Sequence, residues 1–296
     1  MGGRDEAERG EGGPAIQTMI RLIALDVDGT LLDSRWQVPD ANRIAIGRAV
    51  ARGIEVALVT GRRFEFARPI IEALPDPLTL IVNNGALVKT RQGDTLVSHL
   101  LPRDVARQVL DATRGFRHAA AVVFDRVREG QVVFERIDWE DRRTRSYALR
   151  NREFILEVAP LEDCLTEDPV QLMFNGPFAP MRRLLGDLRA LAFADRFAVS
   201  VTEYESRDFS MVDVIRAGCS KGAALVEWAA RRGLSRNEVM AIGDNHNDRE
   251  MLEFAGCPIV MGNAVAELKA LGWPVTGTND EAGVAAALEA FVLGPS

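Results

Sequence analysis

Residues 21–30, RLIALDVDGT, decide how this chain is read: an apolar run ends abruptly in Asp26 and Asp28, one residue apart, followed by Gly29 and Thr30. An apolar run with no polar alternation suits a strand of a parallel sheet covered on both faces. Two like charges at its end repel unless a cation or a shared proton compensates. Ligands of open parallel sheets gather at the carboxyl ends of the strands, where the loops diverge. Asp26 and Asp28 therefore form the first candidate for a site.

Outward from this stretch, DANRIAIGRAVARG (40–53) has helical periodicity closed by Gly53, IEVALVT (54–60) is apolar again, and LTLIVNNG (78–85) reads as a further strand. Between residues 86 and 214 the rhythm changes to alternating strands, AAAVVFDRV, REFILEV, PVQLMF and RFAVSVTEY, with helix-like PRDVARQVLDATRG and PMRRLLGDLRALAF among them. SKGAALVEWAARRG (220–233), with Ser220 as N-cap, then EVMAIGD and DREMLEFAG return to the first pattern. The expected architecture is α/β, a Rossmann-like parallel-sheet core over 19–85 and 215–296, with an α+β module inserted over 86–214. Residues 1–18, rich in glycine and charge, read as a disordered tail, with Met19 a candidate start.

Composition bounds the function. The 296 residues carry a formal net charge of −7, which argues against affinity built on many nucleic-acid phosphates. The three cysteines, Cys164, Cys219 and Cys257, are far apart and suggest neither a disulfide framework nor a zinc cluster. No apolar stretch approaches the length of a membrane helix and the N-terminus lacks a signal-peptide layout, so a cytoplasmic protein without membrane or nucleic-acid partners is expected.

Three expected strand ends carry polar groups: Asp26 to Thr30, Thr60-Gly61-Arg62, and Gly243 to Asp248, with Lys221 at the head of a helix. The carboxylates of Asp26, Asp28, Asp244 and Asp248 suit a hard cation, and magnesium fits best because it takes oxygen ligands and commonly shares them with substrate phosphate. Thr60 and Gly61 offer a hydroxyl and backbone amides to a phosphate. Arg62 either steers that phosphate or is solvated. A lysine at a helix N-terminus opposes the helix dipole by up to about 1 kcal/mol, so Lys221 asks for an anion nearby. His246 reads as solvent-facing, while Asn247 is better placed to contact phosphate. His99 and His118 receive no role.

DVDGT, TGR, SKG and GDNHND, in that order, resemble the four motifs of haloacid dehalogenase-like phosphatases, and the long insertion after TGR and NNGA is most similar to the Cof-type branch with its large cap. The resemblance implies that Asp26 is a nucleophile forming an aspartyl-phosphate and that Asp28 is the acid, then the base. It implies that Thr60 holds phosphoryl oxygens, that Lys221 neutralises nucleophile and phosphate, and that magnesium binds Asp26, Asp244 and the Asp28 backbone carbonyl. Asn247 and Asp248 would orient these groups. Asn84 and Gly85, at the entry to the cap, are expected to contact substrate, as are Gly61 and Arg62; the cap arginines Arg142, Arg143 and Arg145 are expected on a solvated face. The sequence departs from the family pattern in its N-terminal extension, in Arg63 after TGR, and in the proline-free approach to Lys221.

The activity implied is hydrolysis of small phosphorylated metabolites, sugar phosphates foremost, by a monomer or homodimer. A phosphomutase or phosphotransferase would retain the aspartyl-phosphate. A non-catalytic binding protein on the same scaffold would be expected to lose one of the carboxylates, and here all are present.

Overall fold

The computed structural model describes residues 19–204 and 208–294, apart from the side chains of 142–144 and 204. The tail expected over 1–18, and the side chains of Arg142 and Arg143, lie outside the described residues.

In chain order the elements begin with β1 (Leu22–Asp26), α1 (Asp40–Ala51), β2 (Glu55–Val59), α2 (Phe64–Glu72), β3 (Leu78–Val82), β4 (Leu87–Thr90) and β5 (Thr95–Ser98). The middle of the chain gives α3 (Arg103–Ala112), β6 (Ala120–Val123), β7 (Val132–Phe134), α4 (Arg142–Arg150), β8 (Ile155–Glu157), β9 (Gln171–Gly176), α5 (Phe178–Arg189), β10 (Phe197–Tyr204) and β11 (Phe209–Arg216). The last third gives α6 (Lys221–Arg231), β12 (Val239–Gly243), α7 (Arg249–Phe254), β13 (Cys257–Val260), α8 (Ala266–Lys269) and α9 (Gly283–Leu288).

The first sheet has seven strands in the order β13-β12-β1-β2-β3-β4-β5, and the first five run parallel. Every residue of β1 is buried, which is why its sequence shows no alternation. Leu22, Ile23, Leu25, Leu58 and Leu80 are fully buried, and each such side chain contributes about 1.5–3 kcal/mol by leaving water. Because β1 lies between β12 and β2, with Leu25 opposite Ile242 and Asp26 opposite Val59, three strand ends finish side by side. The chain reverses strand order here, so the loops after β1, β2 and β12 diverge around one crevice.

The sequence placed the start of the inserted module at residue 86, and the strand pairing moves it. β4 and β5 are hydrogen-bonded into the first sheet, β4 antiparallel to β3 and β5 antiparallel to β4. In β5 only Val97 is buried, as in an edge strand with one wet face, and that alternation resembles the pattern of the inserted module. The chain therefore leaves the first sheet after Ser98 and returns after Arg216, rather than at 85/86 and 214/215.

The second sheet is six-stranded, β10-β11-β9-β6-β7-β8, antiparallel except for the β7–β8 pair. It has its own apolar core around Phe174, Leu110, Leu184 and Val214. Ser220 caps α6 as its sequence position suggests, its hydroxyl accepting from the Ala223 amide at 3.0 Å.

Candidate active site

Asp26 ends β1, and its carboxylate Oδ1 accepts from the Lys221 ammonium at 2.6 Å. The same Lys221 donates to Asp248 Oδ1, also at 2.6 Å, and its side chain is 2% exposed. A lysine held between two buried carboxylates explains why a cation stands in the first turn of α6 against the helix dipole. Asp248 is fully engaged: its Oδ2 accepts from the amides of Asp244 and Asn245 at 3.0 Å each, folding the loop after β12 back on itself. Asp244, the first residue of that loop, takes a hydrogen bond from the Thr30 hydroxyl at 3.0 Å.

Two glycines let these loops meet. Gly29 has φ +83°, and a Cβ there would stand 2.3 Å from Asp244 Oδ2. Gly85 has φ +95°, and a Cβ there would stand 2.2 Å from the Ser220 carbonyl oxygen. Neither conformation nor spacing tolerates another residue.

Burial, reinforced by Asp248, pushes the Asp26 carboxyl up to about 7. Burial together with Asp26 and Asp248 raises Asp244 as well. For Lys221 burial alone would lower the ammonium, but Asp248 and Asp26 outweigh it and hold it above its ordinary value. Three carboxylates thus crowd around one ammonium, and each further negative charge there is costly.

The residues present fit a divalent cation. Oxygens of Asp26, Asp244 and Asp248 lie within 4.8 Å of one another, all buried, and the donor set is oxygen only. Because Asp248 already accepts from Lys221 and two amides, Asp26 and Asp244 are the better ligands and Asp248 the group that orients them.

Asp28 stands apart from this cluster. Its carboxylate is clasped by Arg62, with Nε to Oδ2 at 2.8 Å and Nη2 to Oδ1 at 2.6 Å. Arg62 is thereby paired with Asp28 rather than solvated; its guanidinium also lies over the rings of Trp36 and Phe66 at 5.4 and 5.6 Å. Thr60 is buried at the end of β2, where its hydroxyl accepts from the Arg62 amide at 3.1 Å. Gly61 follows it under the Asn84 side chain, whose Oδ1 would be 3.0 Å from a Cβ on residue 61. Asn84 receives a hydrogen bond from Asn247 Nδ2 at 3.1 Å, bringing the loops after β3 and β12 together. His246 is exposed, as expected, and so is Arg145. His99 pairs with Glu227 at 2.6 Å.

Three participants went unassigned in the sequence. Thr30 holds Asp244, Asn263 donates to the Gly29 carbonyl at 2.8 Å, and Asp213 bonds Asn84 from the second sheet. Asp213 left a signal, a carboxylate inside the otherwise apolar strand MVDVI. Asn263 left none, because loop contacts distant in sequence have no local pattern.

Comparison with known proteins bears on this geometry. The family model for haloacid dehalogenase-like hydrolases matches residues 23–288. An HMP-PP phosphatase of Serratia proteamaculans is 33% identical over 253 residues, covering 86% of this chain and 88% of its own. A 5-amino-6-(5-phospho-D-ribitylamino)uracil phosphatase of Bacillus subtilis is 28% identical over 283 residues, covering 93% of this chain and 99% of its own. Among solved structures, a haloacid dehalogenase-like hydrolase from Bacteroides thetaiotaomicron superposes with a TM-score of 0.75 at 25% identity, covering 92% of this chain and 99% of that one. Among the described residues no helix is long and apolar enough to cross a membrane.

Proposed function

The chain belongs to the haloacid dehalogenase-like hydrolase family, and from that premise we propose that it is a magnesium-dependent phosphatase of small phosphorylated metabolites, sugar phosphates among them. The observation that carries the reading is the buried cluster in which Lys221 bridges Asp26 and Asp248 beside Asp244. Its relatives named as phosphatases support it.

In this reading Asp26 is the nucleophile. Lys221 is bonded to Oδ1, so Oδ2 is assigned the attack on phosphorus as the bond to the ester oxygen breaks. Asp28 supplies the proton taken up by the leaving oxygen, which requires it to part from Arg62 as substrate enters. Asp28 then takes a proton from water as that water attacks phosphorus, the bond to Asp26 breaks, and inorganic phosphate leaves. Thr60 and the Gly61 amide cradle phosphoryl oxygens, while Asn84, Gly85 and Asn247 border the leaving group. Asp26, Asp244 and the Asp28 backbone carbonyl would hold magnesium, which supplies positive charge beside the phosphoryl group.

The direct test is phosphate release across sugar, nucleotide and cofactor phosphates, with and without a chelator. Inorganic phosphate should appear with at least one of them, stop in chelator and return with magnesium. A sugar phosphate isomerised without release would replace hydrolysis by the mutase reading, and silence across the panel with magnesium present would end both.

Metal binding should also appear in stability. Asp26 stands at about 7 in the fold against an ordinary 3.8, so between those values the native state holds more protons than the unfolded chain. In chelator its contribution is fully present below about 4 and is lost as pH rises through about 7. Magnesium competes with those protons and must bind better at pH 8 than at pH 5. At about a hundredfold excess over Kd the gain is about 2.7 kcal/mol, a rise in melting temperature on the order of 5 °C. Thermal melts should show most of this at pH 8 and little at pH 5; equal shifts at both would contradict the Asp26 and Asp244 assignment.

A further inference from the structure

Beyond the reacting groups, a buried polar chain joins the two sheets. Asp213, on β11 of the second sheet, is 2% exposed and accepts from Asn84 Nδ2 at 2.9 Å and from Gln171 Nε2 at 2.9 Å. Gln171 in turn accepts from Asn83 Nδ2 at 3.2 Å. On the other side Asn84 Oδ1 accepts from Asn247 Nδ2 at 3.1 Å, and Asn247 reaches Thr202 of β10 at 3.4 Å. Asn83 and Asn84 both have left-handed backbone, φ 51° and 52°, so their side chains are held where an ordinary turn would not put them.

A side-chain amide can face either way round, and its surroundings choose. An ionised carboxylate offers acceptors only, so Asp213 draws the NH2 group of Asn84 toward itself and turns the carbonyl oxygen toward Asn247 and over Gly61. From this we infer that Asp213 is a positioning residue: through Asn84 it fixes the polarity of the Asn84–Asn247 edge of the phosphate crevice, so that this edge is complete only with the second sheet docked. Its kinetic consequence rests on the phosphatase reading; the geometry does not.

Burial pushes the Asp213 carboxyl up to about 7, opposed by the Asn84 hydrogen bond. Its neighbours across the strands are Ser200 and Met173, and among the described residues it forms no ion pair. Ser200 and Met173 share its face of the sheet, the side chains hydrogen-bonded to it are the two amides, and its proton is the local variable that can reverse Asn84. Once protonated, one oxygen becomes a donor facing an NH2 group.

Asp213→Asn keeps the shape and removes the polarity. The new side chain has one acceptor for two donors, so Asn84 or Gln171 must turn over, and a turned Asn84 sets NH2 against NH2 at Asn247. On p-nitrophenyl phosphate kcat/KM should fall about 10- to 100-fold, mainly through KM. Circular dichroism and thermal melting of the variant establish that it is folded. The second readout needs no turnover: the Asn84 side-chain amide resonance, identified by its loss in Asn84→Ser, should move with a midpoint near 7 in the wild type and stay flat in Asp213→Asn. A folded Asp213→Asn enzyme with wild-type kcat and KM, or an Asn84 resonance unmoved between pH 5 and 9, would overturn the inference. A wild type that shows the titration and releases no phosphate sinks the phosphatase reading while supporting the positioning role.

Discussion

Asp26→Asn is expected to release no phosphate, with kcat at least about 10,000-fold below the wild type, the scale seen when the group that makes a covalent bond is removed from a cooperating set. The substitution is nearly isosteric, and the amide oxygen still accepts from Lys221, so position and packing are preserved. What disappears is the negative charge of the proposed nucleophile. Stability should move the other way in chelator, because burial first and the neighbouring Asp248 second raise the wild-type carboxyl to about 7. Neutralising it removes repulsion at pH 8, so the variant should melt above the wild type without metal and gain less from magnesium. Loss of function with retained or increased stability separates chemistry from folding. The measurements are single-turnover phosphate release with magnesium present, and mass spectrometry of wild type quenched in acid, which should find one phosphoryl group on the peptide containing Asp26. Turnover by Asp26→Asn within tenfold of wild type would remove Asp26 from the attacking role.

The same residue shows why much of this molecule could be read in one dimension. A fully buried parallel strand has to be apolar on both faces, so β1 and β12 stand out as apolar runs, β2 and β3 are interrupted only by Glu55 and Thr79, and the polar groups that end three of them mark the crevice. Lys221 was legible because its helix position is electrostatically wrong without Asp26 and Asp248. The boundary of the insertion was not, because β4 and β5 are short antiparallel strands whose alternation is shared by both sheets. Arg62 stayed open for a different reason: whether a guanidinium meets phosphate, water or Asp28 depends on distances across the crevice, and a motif carries none. The role of Asp213 required knowing that β11 lies over Asn84, 129 residues earlier in the chain.

Lys221→Met should be the most disruptive change to the site as a whole. The lysine is 2% exposed and donates to two carboxylates at 2.6 Å, so a longer arginine has no room and an apolar side chain of similar length is the informative substitute. Without it Asp26, Asp244 and Asp248 stand together in a buried place with no cation. Removing one partner of a buried ion pair costs about 3–5 kcal/mol, so in chelator the variant should melt well below the wild type. Two conditions should narrow that gap. Magnesium supplies the missing positive charge, and acid supplies protons. Losing the ammonium, which lowers Asp26 and Asp244, leaves both raised further, so the native state of the variant binds protons over a wider range and its stability falls more steeply as pH rises from 5 to 8. Activity should not recover with stability: in the proposed reaction Lys221 also meets charge developing between nucleophile and phosphate, and losing one such group costs about 100- to 1,000-fold in kcat. Melts with and without magnesium at pH 5 and 8, beside kcat at saturating magnesium, test both halves. A variant as stable as wild type in chelator at pH 8 would mean that the three carboxylates do not share one buried charge problem, and wild-type kcat would release Lys221 from the reaction.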